Sequence, residues 1–167
     1  MSAKVKTCLW FDTQALPAAE FYCSLLPDSE ITEVGRYPES ATMAEPGSVL
    51  MVEFTLAGTP YQALNGGPHY QLSEAVSISV RTQDQEETDR LWNALIAEGG
   101  AESQCGWCKD RFGLSWQIVP AALPRLLGSP DRTAAGRAMQ AMLGMRKLDI
   151  AALESAFRGD QEGARPG

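Results

Sequence analysis

The sequence is poor in the side chains on which metal binding and acid–base catalysis usually depend. It contains one histidine, His69, which follows the Gly66-Gly67-Pro68 break and is expected in a surface loop. Positive charge is also scarce, because 14 Lys and Arg are outnumbered by 21 Asp and Glu, for a net charge of −7. Nucleic acids and anionic membranes need a basic surface, so neither is expected as a partner.

Long apolar runs are absent as well. None approaches the roughly 20 residues of a membrane span, and the first residues lack the apolar core of a signal peptide. A cytoplasmic protein is therefore expected, and such a protein normally keeps its cysteines reduced.

The four cysteines are Cys8, Cys23, Cys105 and Cys108. The last two have the spacing of a redox pair, but such a pair needs its first thiol at a helix N-terminus. Here both lie in a predicted strand, residues 102–109, where positions three apart point to opposite faces. A zinc site would need a second pair of ligands, which the sequence lacks. We therefore predict four structural thiols.

One sequence pattern occurs twice. GTPYQAL at 58–64 and GLSWQIV at 113–119 share a glycine, then an aromatic residue, a glutamine and two aliphatic residues. The second copy is the return arm of a hairpin predicted over residues 104–120. Each copy closes a half with the same order of elements, which indicates a duplicated unit.

Each half is predicted as a strand, a helix and three further strands, and seven of these eight strands are assigned to residues. The predicted strands are residues 5–11, 29–37, 49–56, 61–65, 75–81, 102–109 and 114–119. The predicted helices are residues 14–26, one that begins after Asp84, and the tail segments 121–127, 130–144 and 148–157. The halves are residues 1–67 and 68–120, followed by the tail 121–160 and a frayed end, 161–167.

Helix ends carry recognisable capping residues. Asp12 and Thr13 are candidate caps of the first helix, and Asp84 with Glu87 forms a capping box for the second. In the tail, apolar residues recur at helical spacing and predict a face that must be covered. These residues are Ala135, Ala138, Met139, Met142 and Leu143.

Several short motifs, in order, resemble those of a known family. They are AAEFY at 18–22, LNGGP at 64–68, CGW at 105–107, SWQIVP at 115–120 and AML at 141–143. The chain resembles the PhnB-like family, often labelled 3-demethylubiquinone-9 3-methyltransferase, of the glyoxalase/bleomycin-resistance (vicinal oxygen chelate) superfamily. The resemblance implies an α+β fold of two tandem βαβββ modules with curled sheets and a C-terminal helical extension.

Superfamily enzymes hold a metal on the first and last strands of each module, usually through His or Glu and sometimes Gln. Carried onto this chain, those positions are Thr7, Gln62, Ser77 and Gln117. Because neutral amide and hydroxyl oxygens bind cations poorly, we expect at most a weakly held divalent metal. The four residues are instead candidate contacts to a ligand in the cup of the sheets.

Tryptophans are candidate walls of that pocket. Trp10 and Trp107 are assigned this role, whereas strand alternation places Trp116 on the face opposite Gln117. A small-molecule ligand is the expected partner.

Two classes of function stay open. One is an enzyme of lyase, isomerase or oxygenase type, and the other a non-catalytic binder that sequesters its ligand, as bleomycin-resistance relatives do. The methyltransferase of the label is not favoured, because no glycine pair lies between a strand and a helix in the GxGxxG form. The resemblance also implies a homodimer, and residues 49–54 are a candidate exposed apolar edge.

Overall fold

Each half of the chain folds as a helix packed on one face of a four-stranded sheet. A computed structural model describes residues 3–160 and divides the chain into two units, with the division between Ser73 and Glu74. Both units have the βαβββ order and helices follow the second, so the predicted α+β architecture is confirmed. The predicted frayed end, residues 161–167, lies outside the described residues.

The first unit contains one helix and a sheet in the order β1-β4-β3-β2. Its elements are β1 Thr7–Phe11, α1 Ala15–Leu25, β2 Glu30–Arg36, β3 Val49–Leu56 and β4 Thr59–Asn65. β1 runs parallel to β4, and β3 pairs antiparallel with both β4 and β2. Alternate strand residues pack beneath α1, which buries Ala15, Ala18, Ala19, Tyr22 and Leu25.

The strand predicted as an exposed edge is in fact central. β3 lies between β2 and β4, and its residues Val52 and Phe54 are buried. Alternation of apolar and polar residues in this strand reflects one buried face, which is equally typical of an interior strand. The edge interpretation of residues 49–54 was therefore wrong, and the predicted homodimer loses that support.

The start of α1 is capped from a distance. Neither Asp12 nor Thr13 caps it; the backbone N–H of Ala15 instead donates to Oδ1 of Asn65, at 2.8 Å. Asn65 is buried, and its Nδ2 donates to the carbonyl of Val49 at 3.1 Å. One side chain thus joins the helix start to the ends of two strands.

The second unit repeats the pattern, with the sheet order β5-β8-β7-β6. Its elements are β5 Ser77–Thr82, α2 Gln85–Ile96, β6 Ala101–Glu102, β7 Trp107–Lys109 and β8 Ser115–Pro120. The predicted cap of α2 is confirmed, since Oδ1 of Asp84 accepts from the N–H of Glu87 at 2.8 Å. The Glu87 carboxylate reaches back to the N–H of Gln83, one residue before the cap.

The strand predicted over residues 102–109 is divided into β6 and β7. Cys105 and Gly106 form a turn with φ of 55° and 85°. Their N–H groups donate to the carbonyls of Met145 and Arg146, at 2.8 and 2.7 Å. A Cβ on Gly106 would lie 2.9 Å from the carbonyl of Ile118, so the close approach requires glycine.

Three helices complete the second unit: α3 Ala122–Leu127, α4 Arg132–Leu143 and α5 Ile150–Arg158. They share a cluster formed by Leu123, Leu126, Ala138, Leu148 and Leu153. No described helix has the length and apolar character to cross a membrane.

The predicted apolar face of α4 is only partly buried. Ala135 and Ala138 are buried, but Met139 is 39% exposed and Leu143 is 52% exposed. Ala134 is buried instead, so the contact face is narrower and rotated towards the small residues. Within one chain, the described residues therefore leave Met139 and Leu143 partly uncovered.

Candidate functional site

Polar side chains line the face of the first sheet that lies opposite α1, called here the first open face. Paired residues on neighbouring strands share a face, so Glu33, Glu53, Gln62 and Cys8 form a row across all four strands. Lys6 precedes Cys8 by two residues and lies on the same side. The row crosses the middle of the sheet on the side away from α1.

Three of these side chains form a connected group, the Lys6–Glu53–Gln62 cluster. The ammonium of Lys6 pairs with Oε2 of Glu53, and Nε2 of Gln62 donates to Oε1 of Glu53 at 3.2 Å. The hydrogen bonds from Lys6 and then Gln62 hold the pKa of the Glu53 carboxyl below its usual range. The side chains of Lys6 and Glu53 are 15% and 26% exposed, so the ion pair is largely shielded from water.

Thr7, the first-strand candidate, does not join this group. It pairs with Tyr61 and therefore lies on the helix side of the sheet, whereas Cys8 is the partner of Gln62. The sequence contained the signal for this register. Leu9 and Phe11 are the apolar residues that must face α1, and their parity places Thr7 with them.

In the second unit, the face of the sheet opposite α2, the second open face, brings two predicted residues together. Nε2 of Gln117 donates to Oγ of Ser77 at 2.9 Å. Trp107 pairs directly with Gln117, so its half-buried ring lies beside them on this face. Trp116 lies on the helix side as predicted, and its Nε1 donates to Oδ2 of Asp110 at 2.8 Å.

Trp10 lies on the first open face, but near the end of β1. Its Nε1 donates to the carbonyl of Gly67 at 2.9 Å, and its ring meets Tyr70 edge-on, with centroids 4.9 Å apart. A Cβ on Gly66 would lie 2.3 Å from the indole, which explains the glycine there. Trp10 therefore packs against the chain that leaves β4, away from Gln62.

Each open face adjoins a cavity. A cavity of about 430 Å³ lies beside Lys6 and Glu53 and is also lined by Tyr61, whose pKa burial raises. In the second unit, a cavity of about 190 Å³ is lined by Lys109 and Ser115.

The smaller cavity contains an unusual polar atom. Oγ of Ser115 is buried and has no hydrogen-bond partner in the described part of the chain. The neighbouring Lys109 pairs with Glu74, which lowers the pKa of that carboxyl. Sequence reasoning missed Lys6, Glu53 and Lys109, because their partners are distant in the chain.

The side chains at the four carried-over positions do not fit a tightly held metal. Gln62 and Gln117 use their amide nitrogens within the protein, and each leaves a neutral carbonyl oxygen. The charge of Glu53 is already balanced by Lys6. Within residues 3–160, no group of three or more His, Cys, Asp or Glu is arranged to hold a metal ion. A divalent cation would therefore find little charge to offset its lost water.

The chain is similar to one protein family and to several solved structures. The family model described as 3-demethylubiquinone-9 3-methyltransferase matches residues 3–119. A putative 3-demethylubiquinone-9 3-methyltransferase, the PhnB protein from Bacillus cereus, is 30% identical with a TM-score of 0.65, covering 71% of this chain and 100% of that one. Comparison with curated proteins finds no match.

Two more distant structures share the fold. A protein from Pseudomonas aeruginosa is 22% identical with a TM-score of 0.59, covering 71% of this chain and 98% of that one. The fosfomycin resistance protein FosX from Listeria monocytogenes, solved with Mn(II) and sulfate, is 14% identical with a TM-score of 0.50. The match covers 77% of this chain and 97% of that one.

Proposed function

Because the chain belongs to the 3-demethylubiquinone-9 3-methyltransferase family, a PhnB-like branch of the vicinal oxygen chelate superfamily, we propose that it binds a small polar metabolite on its open sheet faces without a tightly held metal. One observation carries this proposal. At both last-strand positions the glutamine nitrogen is used inside the protein, and the Oε1 atoms of Gln62 and Gln117 have no partner among the described residues.

This arrangement favours ligands that donate hydrogen bonds. A glutamine held by its nitrogen presents a fixed carbonyl oxygen, which accepts from a hydroxyl or an N–H. On the second open face the ring of Trp107 adds an apolar surface beside Gln117. A ligand with a polar edge and an apolar or aromatic body fits this combination.

The groups on the first open face favour binding over acid–base catalysis. Glu53 has a lowered pKa and is a weak base, while burial raises the pKa of the Cys8 thiol and keeps it protonated. The function we favour is therefore a non-catalytic binder of the bleomycin-resistance type. No observation favours the lyase, isomerase or oxygenase alternative over it.

Methyl transfer from S-adenosylmethionine, which the family description suggests, finds no support in the strand–helix connections. Residues 12–14 join β1 to α1 and residues 83–84 join β5 to α2, and neither connection contains a glycine. A Rossmann-type nucleotide site needs glycines at that place so that the backbone can approach the ligand.

A metabolite screen by thermal shift, followed by calorimetry, tests the proposal. Gln62→Ala and Gln117→Ala each remove one neutral hydrogen bond to the ligand. Each should lower the affinity for the ligand of that face by about two- to tenfold. Thr7→Ala, which changes the helix side of the same sheet, is the matched control and should bind normally. Freshly purified protein that retains one equivalent of transition metal through dialysis against a chelator would contradict the proposal.

A further inference from the structure

A cavity of about 580 Å³ in the first unit belongs to neither open face. It lies where β1 and β4 end and α1 begins, and the loop between β2 and β3 closes its far side. Neither Glu53 nor Gln62 lines it. Its volume falls within the range of about 300–1,000 Å³ that is usual for small-molecule sites.

Hydrogen bonds fix the walls of this cavity. Tyr37 and the loop exchange backbone bonds of 2.9 Å, from the N–H of Tyr37 to Ser48 and from the N–H of Gly47 to Tyr37. The Tyr37 hydroxyl donates to the carbonyl of Asn65 at 2.8 Å, and Oγ of Ser48 donates to the carbonyl of Glu45 at 2.6 Å. The loop is thus tied to the sheet before a ligand arrives, which reduces the entropy lost on binding.

The lining of this cavity carries two negatively charged side chains. Asp12 and Glu45 contribute carboxylates, and neither has an ion-pair partner among the described residues. Arg36, whose guanidinium donates to the Gly47 carbonyl, does not line the cavity. The remaining walls are largely apolar, with Leu16 and Val49 among them.

We propose that this cavity is a second ligand site, which binds a small organic cation with a primary ammonium group and an apolar or aromatic body. The two carboxylates attract the ammonium group, and the apolar walls bury the body. A bare metal ion fits less well, because two carboxylates supply too few ligands and the apolar walls supply none. This site is independent of the ligand proposed for the open faces.

The sole histidine of the chain makes the site directly observable. His69 lines the cavity, so its imidazole resonances report on binding without assignment of the rest of the spectrum. Phenethylamine is the probe, at constant pH, and 2-phenylethanol and 3-phenylpropionate are neutral and anionic probes of similar shape. Phenethylamine should shift the His69 signals saturably, and the other two should bind at least several-fold more weakly.

Charge variants complete the test. Asp12 and Glu45 are exposed, so Asp12→Asn and Glu45→Gln should each weaken phenethylamine binding by about 1.4- to fivefold, the range for an exposed ion pair. Glu39→Gln removes a carboxylate from the same loop but outside the cavity, and it should leave the affinity unchanged. Equal affinity for the three probes, no effect of either variant, or no shift of His69 would each overturn the proposal.

Discussion

The Lys6–Glu53–Gln62 cluster makes a strong prediction about Gln62→Glu. In the native protein, Nε2 of Gln62 donates to Oε1 of Glu53 at 3.2 Å. The substitution replaces that donor with a second carboxylate and leaves Lys6 as the cation of the cluster. The variant should lose stability at neutral pH, and it should gain affinity for divalent cations because two carboxylates then share one place.

The expected loss is about 2 kcal/mol. The hydrogen bond contributes about 0.5–1.5 kcal/mol. Two charges about 4 Å apart repel by about 1 kcal/mol in water and about 4 kcal/mol at the dielectric constant typical of a protein surface. Lys6 remains paired with Glu53 and offsets part of the added negative charge, so the net repulsion stays near the lower value. For a chain of this size, the midpoint temperature of thermal unfolding should fall by about 4–8 °C.

The pH dependence separates charge from packing. Native Glu53 has a lowered pKa, so its contribution to stability is present above its ordinary pKa and is lost as the pH falls through the lowered value. In the variant, the added negative charge raises the carboxyl pKa values, and protonation removes their repulsion. The stability difference between native protein and variant should therefore be largest at pH 7 and shrink as the pH falls below about 4.

Urea unfolding at pH 7 and at a pH below about 4, with and without Mg²⁺ or Mn²⁺, measures these effects. Gln62→Ala isolates the lost hydrogen bond, and Gln71→Glu adds the same charge at an exposed position. A loss no larger than that of Gln62→Ala, or one independent of pH, would refute the electrostatic explanation. A variant that divalent ions fail to stabilise would refute the proposed metal gain.

Three further outcomes are expected. Asn65→Ala removes the cap on Ala15 and a second, part-buried hydrogen bond, so the free energy of unfolding should fall by about 3 kcal/mol, measured by urea titration; an unchanged urea midpoint would contradict this. Burial, then nearby carboxylates, raises the pKa of Cys108 to about 12, so iodoacetamide at pH 8 should modify half-exposed Cys105 first; a stable disulfide between the two would contradict the free thiols. A chain ending at Pro120 should aggregate, since it loses the helical cluster that packs against Val119 and the Met145 and Arg146 carbonyls that hold the turn at Cys105; a folded, monomeric fragment by light scattering would disprove this.

Local patterns predicted the order of elements well. β3 begins and ends where the alternation of apolar residues placed it, and Asp84 caps α2 as its spacing with Glu87 indicated. Each of these patterns involves residues that are close together in the sequence, so neither depends on the tertiary structure. The Gln117–Ser77 contact was also within reach, because both positions follow from the family pattern.

The remaining features depend on partners that are distant in the sequence. Lys6 reaches Glu53 only once β1 lies beside β4 in one particular register, and a count along the sequence placed Thr7 there instead. Asn65 caps a helix that begins 50 positions earlier. Where the strand is divided at Cys105, the turn donates hydrogen bonds to carbonyl groups of the tail. No local pattern carries this information.

The turn at Cys105 and Gly106 connects the tail to the second open face. Its two N–H groups are held by the carbonyls of Met145 and Arg146, and the next residue in the chain is Trp107, the neighbour of Gln117. The loop between α4 and α5 is therefore linked to the second open face through three consecutive residues. If the proposed ligand binds on this face, substitutions in that loop should change its affinity while Trp107 and Gln117 stay the same.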